Sequence, residues 1–147
     1  HICELEIDPE TGVVELLRYC VVDDVGTVMN PLLLEGQIIG GIAQGVGQVL
    51  MENIHFDAES GQLLTGSFMD YAMPRADTMP YMEIHSNPVP TKRNPLGAKG
   101  AGEAGTVGAL PAMVNAVVDA LQPLGVKSLD MPATAARIWQ ALREARA

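Results

Sequence analysis

Extended structure is predicted at the start of the chain, where apolar and polar residues alternate over residues 1–8 and an extended pattern resumes over residues 13–24. Alternation with a period of two residues is typical of β-strands, because successive side chains point to opposite faces. The intervening residues 9–12 read Pro-Glu-Thr-Gly, a composition that favours a turn. The pattern therefore predicts a β-hairpin.

Two more extended regions follow later in the chain. Residues 54–56 and 62–65 flank the turn-like sequence Asp-Ala-Glu-Ser-Gly, which predicts a second hairpin. Residues 81–86 alternate again and predict a further strand. His55 and His85 belong to these strands, and we interpret both as structural or exposed strand residues rather than ligands.

Three helices are predicted from the apolar spacing. The first covers residues 32–52 and follows Asn30-Pro31, since proline is tolerated at the first helical position. The second covers residues 109–121, with Pro111 opening its longer part. The third runs from Pro132 to about residue 146, and its inward-facing residues are expected to be Ile138, Trp139 and Leu142.

Five glycines interrupt the first predicted helix, at positions 36, 40, 41, 45 and 47. An interior glycine costs roughly 0.5–1 kcal/mol relative to alanine, so five would melt an isolated helix. Close packing against another backbone or a ligand is the expected compensation. The pairs that share a helix face are Gly36 with Gly40 and Gly41 with Gly45.

These elements predict one α+β unit over residues 1–147, in which two hairpins and a further strand pack with three helices. A chain of 147 residues can form one domain with its own core. Its 48% hydrophobic and 18% charged residues are typical of a soluble globular protein.

The net charge of −9 argues against nucleic acid or an anionic membrane surface as a partner, because both require basic patches. We expect no apolar run to approach the roughly 18 residues of a membrane span. No signal peptide is visible, which favours a cytoplasmic location. The chain begins inside a predicted strand and without methionine, so we interpret it as a piece of a longer chain.

The two cysteines, Cys3 and Cys20, are expected to be free and buried. No Cys-x-x-Cys pattern is present, so any iron–sulfur cluster must belong to another polypeptide. The acidic pair Asp23 and Asp24 at a predicted strand end could bind a metal. We regard this as the weaker interpretation, because no histidine or third carboxylate follows nearby.

A glycine-rich stretch precedes the second predicted helix and contains the main candidate chemistry. Residues 94–108 read Asn-Pro-Leu-Gly-Ala-Lys-Gly-Ala-Gly-Glu-Ala-Gly-Thr-Val-Gly. A flexible backbone that leads into a helix N-terminus favours the binding of an anion, because the first helical N–H groups are unpaired. We therefore predict that this stretch wraps a phosphate-bearing cofactor and directs Glu103 towards it.

Two other interpretations of this stretch remain open. Residues 100–105 match the dinucleotide fingerprint Gly-x-Gly-x-x-Gly, but that motif requires a preceding strand, and the polar, proline-containing residues 91–96 read as a loop. The stretch could also be a loop that only needs tight turns.

Three motifs resemble the large subunit of the molybdenum hydroxylases, the family of xanthine dehydrogenase, aldehyde oxidase and molybdenum carbon monoxide dehydrogenase. The first is Gly-Ala-Lys-Gly-Ala-Gly-Glu-Ala-Gly over residues 97–105, with Ala101 where the family more often has valine. The second covers residues 23–31 and 35–47, and the third, Leu-Thr-Gly-Ser-Phe-Met-Asp-Tyr-Ala-Met-Pro-Arg, covers residues 64–75. They keep the family's order along nearly the whole chain, and the carbon monoxide dehydrogenase-like branch is the most similar.

The resemblance implies an enzyme that hydroxylates a carbon of an aldehyde, an N-heterocycle or a similar substrate with oxygen derived from water. Its cofactor would be molybdopterin with molybdenum, in the cytosine dinucleotide form, and no side chain need ligate the metal. Glu103 would be the general base, in a dry pocket that raises its proton affinity. The cofactor-binding residues implied by the matched motifs are Asp24, Val25, Gln37, Lys99, Gly100, Ala101 and Gly102. At the position of Val25 the carbon monoxide dehydrogenase-like branch often has cysteine.

The resemblance also implies partners. The family's large subunit is several times longer than this chain, so we expect a C-terminal part of a larger molybdopterin-binding domain that is inactive alone. The remainder of the subunit, iron–sulfur (2Fe-2S) and FAD subunits or domains, and a small-molecule substrate would complete it. The alternative is a non-catalytic truncated or cofactor-handling module. The presence of both Glu103 and Gln37 favours the enzyme.

Overall fold

In the computed structural model, which describes residues 1–146, the alternating segment at the start of the chain forms the first predicted hairpin. Strands β1 (Ile2–Ile7) and β2 (Val14–Asp23) pair antiparallel, with a register shift between Glu4 and Leu5. Gly12 closes the turn at φ +73°, and its N–H donates to the Asp8 carbonyl at 2.7 Å. Strand β3 (Met82–Ser86) pairs parallel with β2, so β2 is the central strand. The first hairpin and the further strand are therefore confirmed.

The second predicted hairpin is only rudimentary. One isolated bridge joins Phe56 to Leu63, and no strand forms on either side of the turn. The turn itself is present, because the Asp57 carboxylate accepts hydrogen bonds from the backbone N–H of Ser60 at 2.9 Å and from its hydroxyl. The flanking segments lie outside the three-stranded sheet, so neither gains a second strand partner.

Helix α1 (Pro31–Leu50) agrees closely with its prediction. The Asn30 side chain accepts from the Leu33 N–H at 3.1 Å and caps the helix, with Pro31 at its first position. Helix α2 (Ala104–Leu121) begins five residues before the predicted start, and Pro111 lies inside it rather than opening it. Tertiary packing of the glycine-rich first turns overrides their low intrinsic helix propensity.

The contact between α1 and α2 explains part of the glycine pattern. A Cβ atom on Gly41 would lie 2.9 Å from the Thr106 nitrogen, and one on Gly105 would lie 2.4 Å from the Ile38 carbonyl oxygen. A Cβ on Gly45 would lie 2.6 Å from the Cβ of Ala109. The expected close packing is thus confirmed for the pair Gly41 and Gly45. No such neighbour is found for the other pair, Gly36 and Gly40.

Helix α3 (Ala135–Arg146) begins three residues after Pro132. Ile138 and Leu142 are buried as predicted, at 0% and 1% exposure. Trp139 is 39% exposed, so the prediction that it points inward is wrong. Its ring lies 4.7 Å from the guanidinium of Arg143, one turn later, which places it on the solvent side of the helix. Among residues 1–146, two short 3-10 turns are also present, at Ala76–Thr78 and Gln122–Leu124.

The core lies between the inner face of the sheet and the helices. Its main cluster includes Tyr19 and Val21 of β2, Ile42 of α1 and Met113 of α2, and a second cluster joins α2 to α3. Residues 104–124 are long and apolar enough to cross a membrane by length and composition, which corrects the expectation that no such run exists. The buried residues of α2 contribute to both clusters, so we interpret it as a core helix.

Both cysteines are free, as predicted. Cys3 is half-buried, and its thiol donates to the Ala112 carbonyl of α2 at 3.3 Å. Burial raises the pKa of this thiol. Cys20 is also half-buried, on β2.

Candidate functional site

The site begins where β2 ends, at an aspartate whose two oxygens are both engaged. Asp24 Oδ1 accepts hydrogen bonds from the backbone N–H groups of Gly26 and Val89, each at 2.9 Å. Asp24 Oδ2 forms an ion pair with Nζ of Lys99. These donors lower the pKa of the Asp24 carboxyl to about 2, with the Lys99 hydrogen bond as the largest cause. Asp24 therefore joins the end of β2 to the glycine-rich loop.

Backbone contacts reinforce this junction. The Lys99 N–H donates to the Val25 carbonyl at 2.9 Å, and the Thr27 N–H donates to the Gly97 carbonyl at 3.0 Å. Gly26 has φ +63°, and a Cβ there would lie 2.2 Å from the Gly97 oxygen. Glycine is thus required at position 26 both for its backbone conformation and for the close approach of the loop.

Helix α1 supports the loop from the other side through its polar residues. Gln37 Nε2 donates to the Gly102 carbonyl at 2.8 Å, across 65 residues of sequence. In the first turn of α2, the Thr106 hydroxyl lies 3.0 Å from the Gly41 carbonyl and 3.2 Å from Oε1 of Gln44. These bonds fix the start of α2, and with it the position of Glu103, relative to α1.

The glycine-rich loop between these two supports leaves part of its backbone exposed. The N–H groups of residues 100–103 are not paired with any backbone acceptor in the part of the chain that the structure describes. A Cβ on Gly100 or Gly102 would meet no atom within 4 Å, so the space beside the loop is open. Glu103 directly precedes α2, with no hydrogen bond from its side chain to the helix. Its side chain is exposed, so residues 1–146 do not form the dry pocket expected around it.

A cavity of about 270 Å³ lies against this loop and brings together four of the eight predicted site residues, Val25, Gln37, Lys99 and Ala101. Asp24 lies behind Lys99, and Glu103 follows Gly102 at the edge of the loop. Sequence reasoning missed two polar residues of the cavity wall, Thr27 and Asn30. Both lie within the second family-like motif, which was the available signal.

The donor set of the cavity suits an anionic group with a heterocyclic part. Its wall includes one cation, Lys99, and no carboxylate. The unpaired N–H groups of the loop and the adjacent N-terminus of α2 favour negative charge. The Gln37 amide offers both donors and acceptors to a heterocycle edge. The residues present therefore fit a phosphate-bearing pterin.

The structure does not support the two other interpretations, a metal site at Asp23 and Asp24 and a dinucleotide-binding fingerprint at residues 100–105. Asp23 and Asp24 do not form a metal pair, because Asp24 is engaged with Lys99 while Asp23 Oδ1 lies 3.5 Å from Nε2 of His1. Burial raises the pKa of Asp23, which further disfavours a shared cation. A dinucleotide fingerprint requires a strand directly before Gly100, and residues 87–99 form none.

Comparisons with known proteins agree with the geometry. Residues 1–80 match the family described as the molybdopterin cofactor-binding domain. The chain is 40% identical to the carbon monoxide dehydrogenase large chain of Hydrogenophaga pseudoflava, over 98% of this chain and 18% of that protein. It is also 40% identical to the nicotine 6-hydroxylase large subunit of Paenarthrobacter nicotinovorans, over 97% of this chain and 17% of that subunit.

A solved structure shows the same fold. Carbon monoxide dehydrogenase from Oligotropha carboxidovorans superposes with a TM-score of 0.93 at 37% identity, over 98% of this chain and 18% of the other. The chain thus spans about 17–18% of the length of the curated relatives it matches. From its motifs, its fold and these similarities, the chain belongs to the molybdopterin-binding large subunits of the molybdenum hydroxylase family.

Proposed function

We propose that this chain is the part of a molybdenum hydroxylase large subunit that supplies the general base and one wall of the cofactor site. The reaction would be hydroxylation of an electrophilic carbon, in an aldehyde, an N-heterocycle or a similar small molecule, with oxygen from water. When bound, the molybdenum–pterin cofactor supplies the two-electron oxidation of that carbon. Iron–sulfur and FAD partners would carry the electrons away.

The observation that supports this proposal most directly is the convergence at the cavity. Residues from three separate parts of the sequence, Val25, Gln37 and Lys99, line one space beside the open backbone of Gly100 and Gly102. The resemblance assigned cofactor contacts to these residues on sequence grounds alone. A loop that needed only tight turns would have no reason to leave the N–H groups of residues 100–103 without backbone acceptors next to a cavity whose wall includes a cation.

Each residue has a role that follows from its chemistry. Backbone N–H groups of residues 100–102 and the Lys99 ammonium would hold anionic oxygens of the cofactor. The Gln37 amide would bind the pterin edge while its hydrogen bond holds the Gly102 carbonyl. Hydroxylation with oxygen from water releases protons, and the carboxylate of Glu103 would accept one of them. The cofactor would be the cytosine dinucleotide form of molybdopterin.

The test is the Glu103→Gln variant of the assembled enzyme, because glutamine keeps the size of the side chain but cannot act as a base. We expect turnover to fall at least about 100-fold, the low end of what a general base contributes. Molybdenum content, and CMP released by acid hydrolysis, should stay at the wild-type level. Glu59→Gln is the matched control, because Glu59 is exposed in the turn of residues 57–61.

Three results would contradict parts of the proposal. Near wild-type activity in Glu103→Gln would refute the assignment of the base. Loss of molybdenum together with activity would indicate that Glu103 is needed to assemble the site rather than to move a proton. Neither molybdenum nor CMP in the wild-type assembly would favour the non-catalytic alternative.

A further inference from the structure

The outer face of the sheet carries three side chains of metal-ligand type on two adjacent strands. Cys20 on β2 pairs in register with Glu83 on β3, and His85 follows two residues later on β3. Because side chains alternate along a strand, all three point to the same face, opposite to the buried Val21 and Met82. One ligand atom of each, the thiol sulfur, a carboxylate oxygen and an imidazole nitrogen, lies within 4.8 Å of the other two.

We propose that Cys20, Glu83 and His85 form a binding site for a borderline-soft divalent cation, with Zn²⁺ as the best match. Zinc is bound in proteins by thiolate, imidazole and carboxylate ligands, and a site with three protein ligands leaves a fourth position for water. Zinc–ligand bonds of about 2.0–2.3 Å place ligand atoms about 3.5 Å apart. Side-chain rotations that move the ligand atoms by roughly 1 Å would therefore bring all three within bonding distance of one ion.

The neighbouring residues determine which atoms of the cluster are available to a cation. Arg18 Nη2 donates to Glu83 Oε1 at 2.6 Å, which holds the carboxylate in place. The other oxygen, Oε2, lies 4.0 Å from Nε2 of His85. Within residues 1–146, the side chains of Glu83 and His85 are 39% and 60% exposed, which leaves the fourth ligand position open. The nearby Arg18 charge opposes a cation, while a Cys20 thiolate would offset it.

This site does not share a residue with the proposed cofactor cavity, whose wall is built from residues 25–37 and 98–101. It revises our interpretation of His85, which the sequence suggested to be structural. A bound ion would link the two parallel strands β2 and β3. The predicted consequence is therefore a more stable sheet, independent of whether molybdenum is bound.

The experiment measures zinc binding to the full-length protein that carries this chain, after removal of free metal with a chelator. Equilibrium dialysis against Zn²⁺, with the metal quantified by mass spectrometry, gives stoichiometry and affinity without interference from coloured cofactors. Zinc-edge X-ray absorption reports whether one sulfur ligand is present at about 2.3 Å. The variants are Cys20→Ser and His85→Ala. The matched controls are Cys3→Ser and His55→Ala, which alter the other free cysteine and another exposed histidine.

We expect one zinc equivalent with one sulfur ligand in the wild-type protein. Cys20→Ser should lose the sulfur signal, and both Cys20→Ser and His85→Ala should bind at least about tenfold more weakly, since even outer-shell changes cost 10–100-fold. The two controls should bind like the wild type. Equal affinity in all five proteins, or a sulfur ligand that persists in Cys20→Ser, would overturn the assignment.

Discussion

Two adjacent glycines of α1 provide a direct test of how the helices pack. Gly40→Ala and Gly41→Ala add the same methyl group to the same helix, one residue apart. A Cβ at position 40 meets no atom within 4 Å. A Cβ at position 41 lies 2.9 Å from the nitrogen of Thr106 and 3.0 Å from Cα of Gly105, both backbone atoms of α2. Backbone cannot rotate out of the way, so α2 must shift.

The magnitude follows from two opposing contributions to the free energy of unfolding. Replacing an interior helical glycine with alanine stabilises the helix by roughly 0.5–1 kcal/mol, and both variants gain this. Overpacking a tight contact costs about 1–3 kcal/mol, and only the variant at position 41 incurs this. The shared gain cancels in the difference between the two variants. We therefore expect Gly41→Ala to be about 1–3 kcal/mol less stable than Gly40→Ala, and Gly40→Ala to be slightly more stable than wild type.

The assay is urea and thermal denaturation of the purified chain, which has its own core, followed by circular dichroism and by the fluorescence of its single tryptophan, Trp139. For a chain of about this size, 1 kcal/mol corresponds to roughly 2–4 °C in Tm. The two variants should therefore differ by several degrees. Equal midpoints would refute the packing of α1 against α2, because the methyl group at position 41 would then have open space. A destabilised Gly40→Ala would show that the outer face of α1 is also in close contact.

The remaining predictions concern the supports of the glycine-rich loop. Gln37→Ala removes the hydrogen bond to the Gly102 carbonyl, so the molybdenum occupancy of the assembled enzyme should fall. The control Gln48→Ala, at another exposed position of α1, should leave the occupancy unchanged. Full occupancy with unchanged activity in Gln37→Ala would count against the role of Gln37. Asp24 has its pKa lowered from 3.8 to about 2 in the folded state, so its stabilising contribution is complete above about pH 4 and disappears as the pH falls towards about 2. The free energy of unfolding of Asp24→Asn should therefore fall less than that of the wild type between about pH 4 and about pH 2. Parallel curves of this free energy against pH for the two proteins would disprove the contribution of Asp24.

Much of the fold could be predicted because its signals are local. The alternation in β1 and β2, the proline after Asn30 and the stripe of α3 all act within a few residues of each other. Prediction failed where distant contacts decide the structure. Helix α2 starts early because Gly105 packs against α1, more than 60 residues away in sequence, and no local pattern contains that contact. The second hairpin has the correct turn chemistry, but its segments have no neighbouring strand to pair with.

The site shows the same division. Glycine content and Glu103 pointed to the loop, and the motifs predicted Gln37 and Lys99 as cofactor contacts. Spacing alone could not reveal that Gln37 reaches Gly102. The exposure of Glu103 also departs from expectation. Sequence reasoning assigned it a dry pocket on the basis of the chemistry it would perform. Within residues 1–146 its side chain is exposed, so that pocket stays a prediction.

The geometry of Asp24 changes how the site is expected to hold an anion. A carboxyl group whose pKa is about 2 stays ionised at neutral pH and would repel a phosphate, so a direct contact with the cofactor's anionic oxygens is unfavourable. Its ion pair also neutralises much of the Lys99 charge. The main donors to an anion would then be the backbone N–H groups of residues 100–103, which carry no titratable proton near neutral pH. The affinity for an anion should accordingly change little with pH near neutrality. It should fall in variants, such as those at Gly26, that displace the loop backbone.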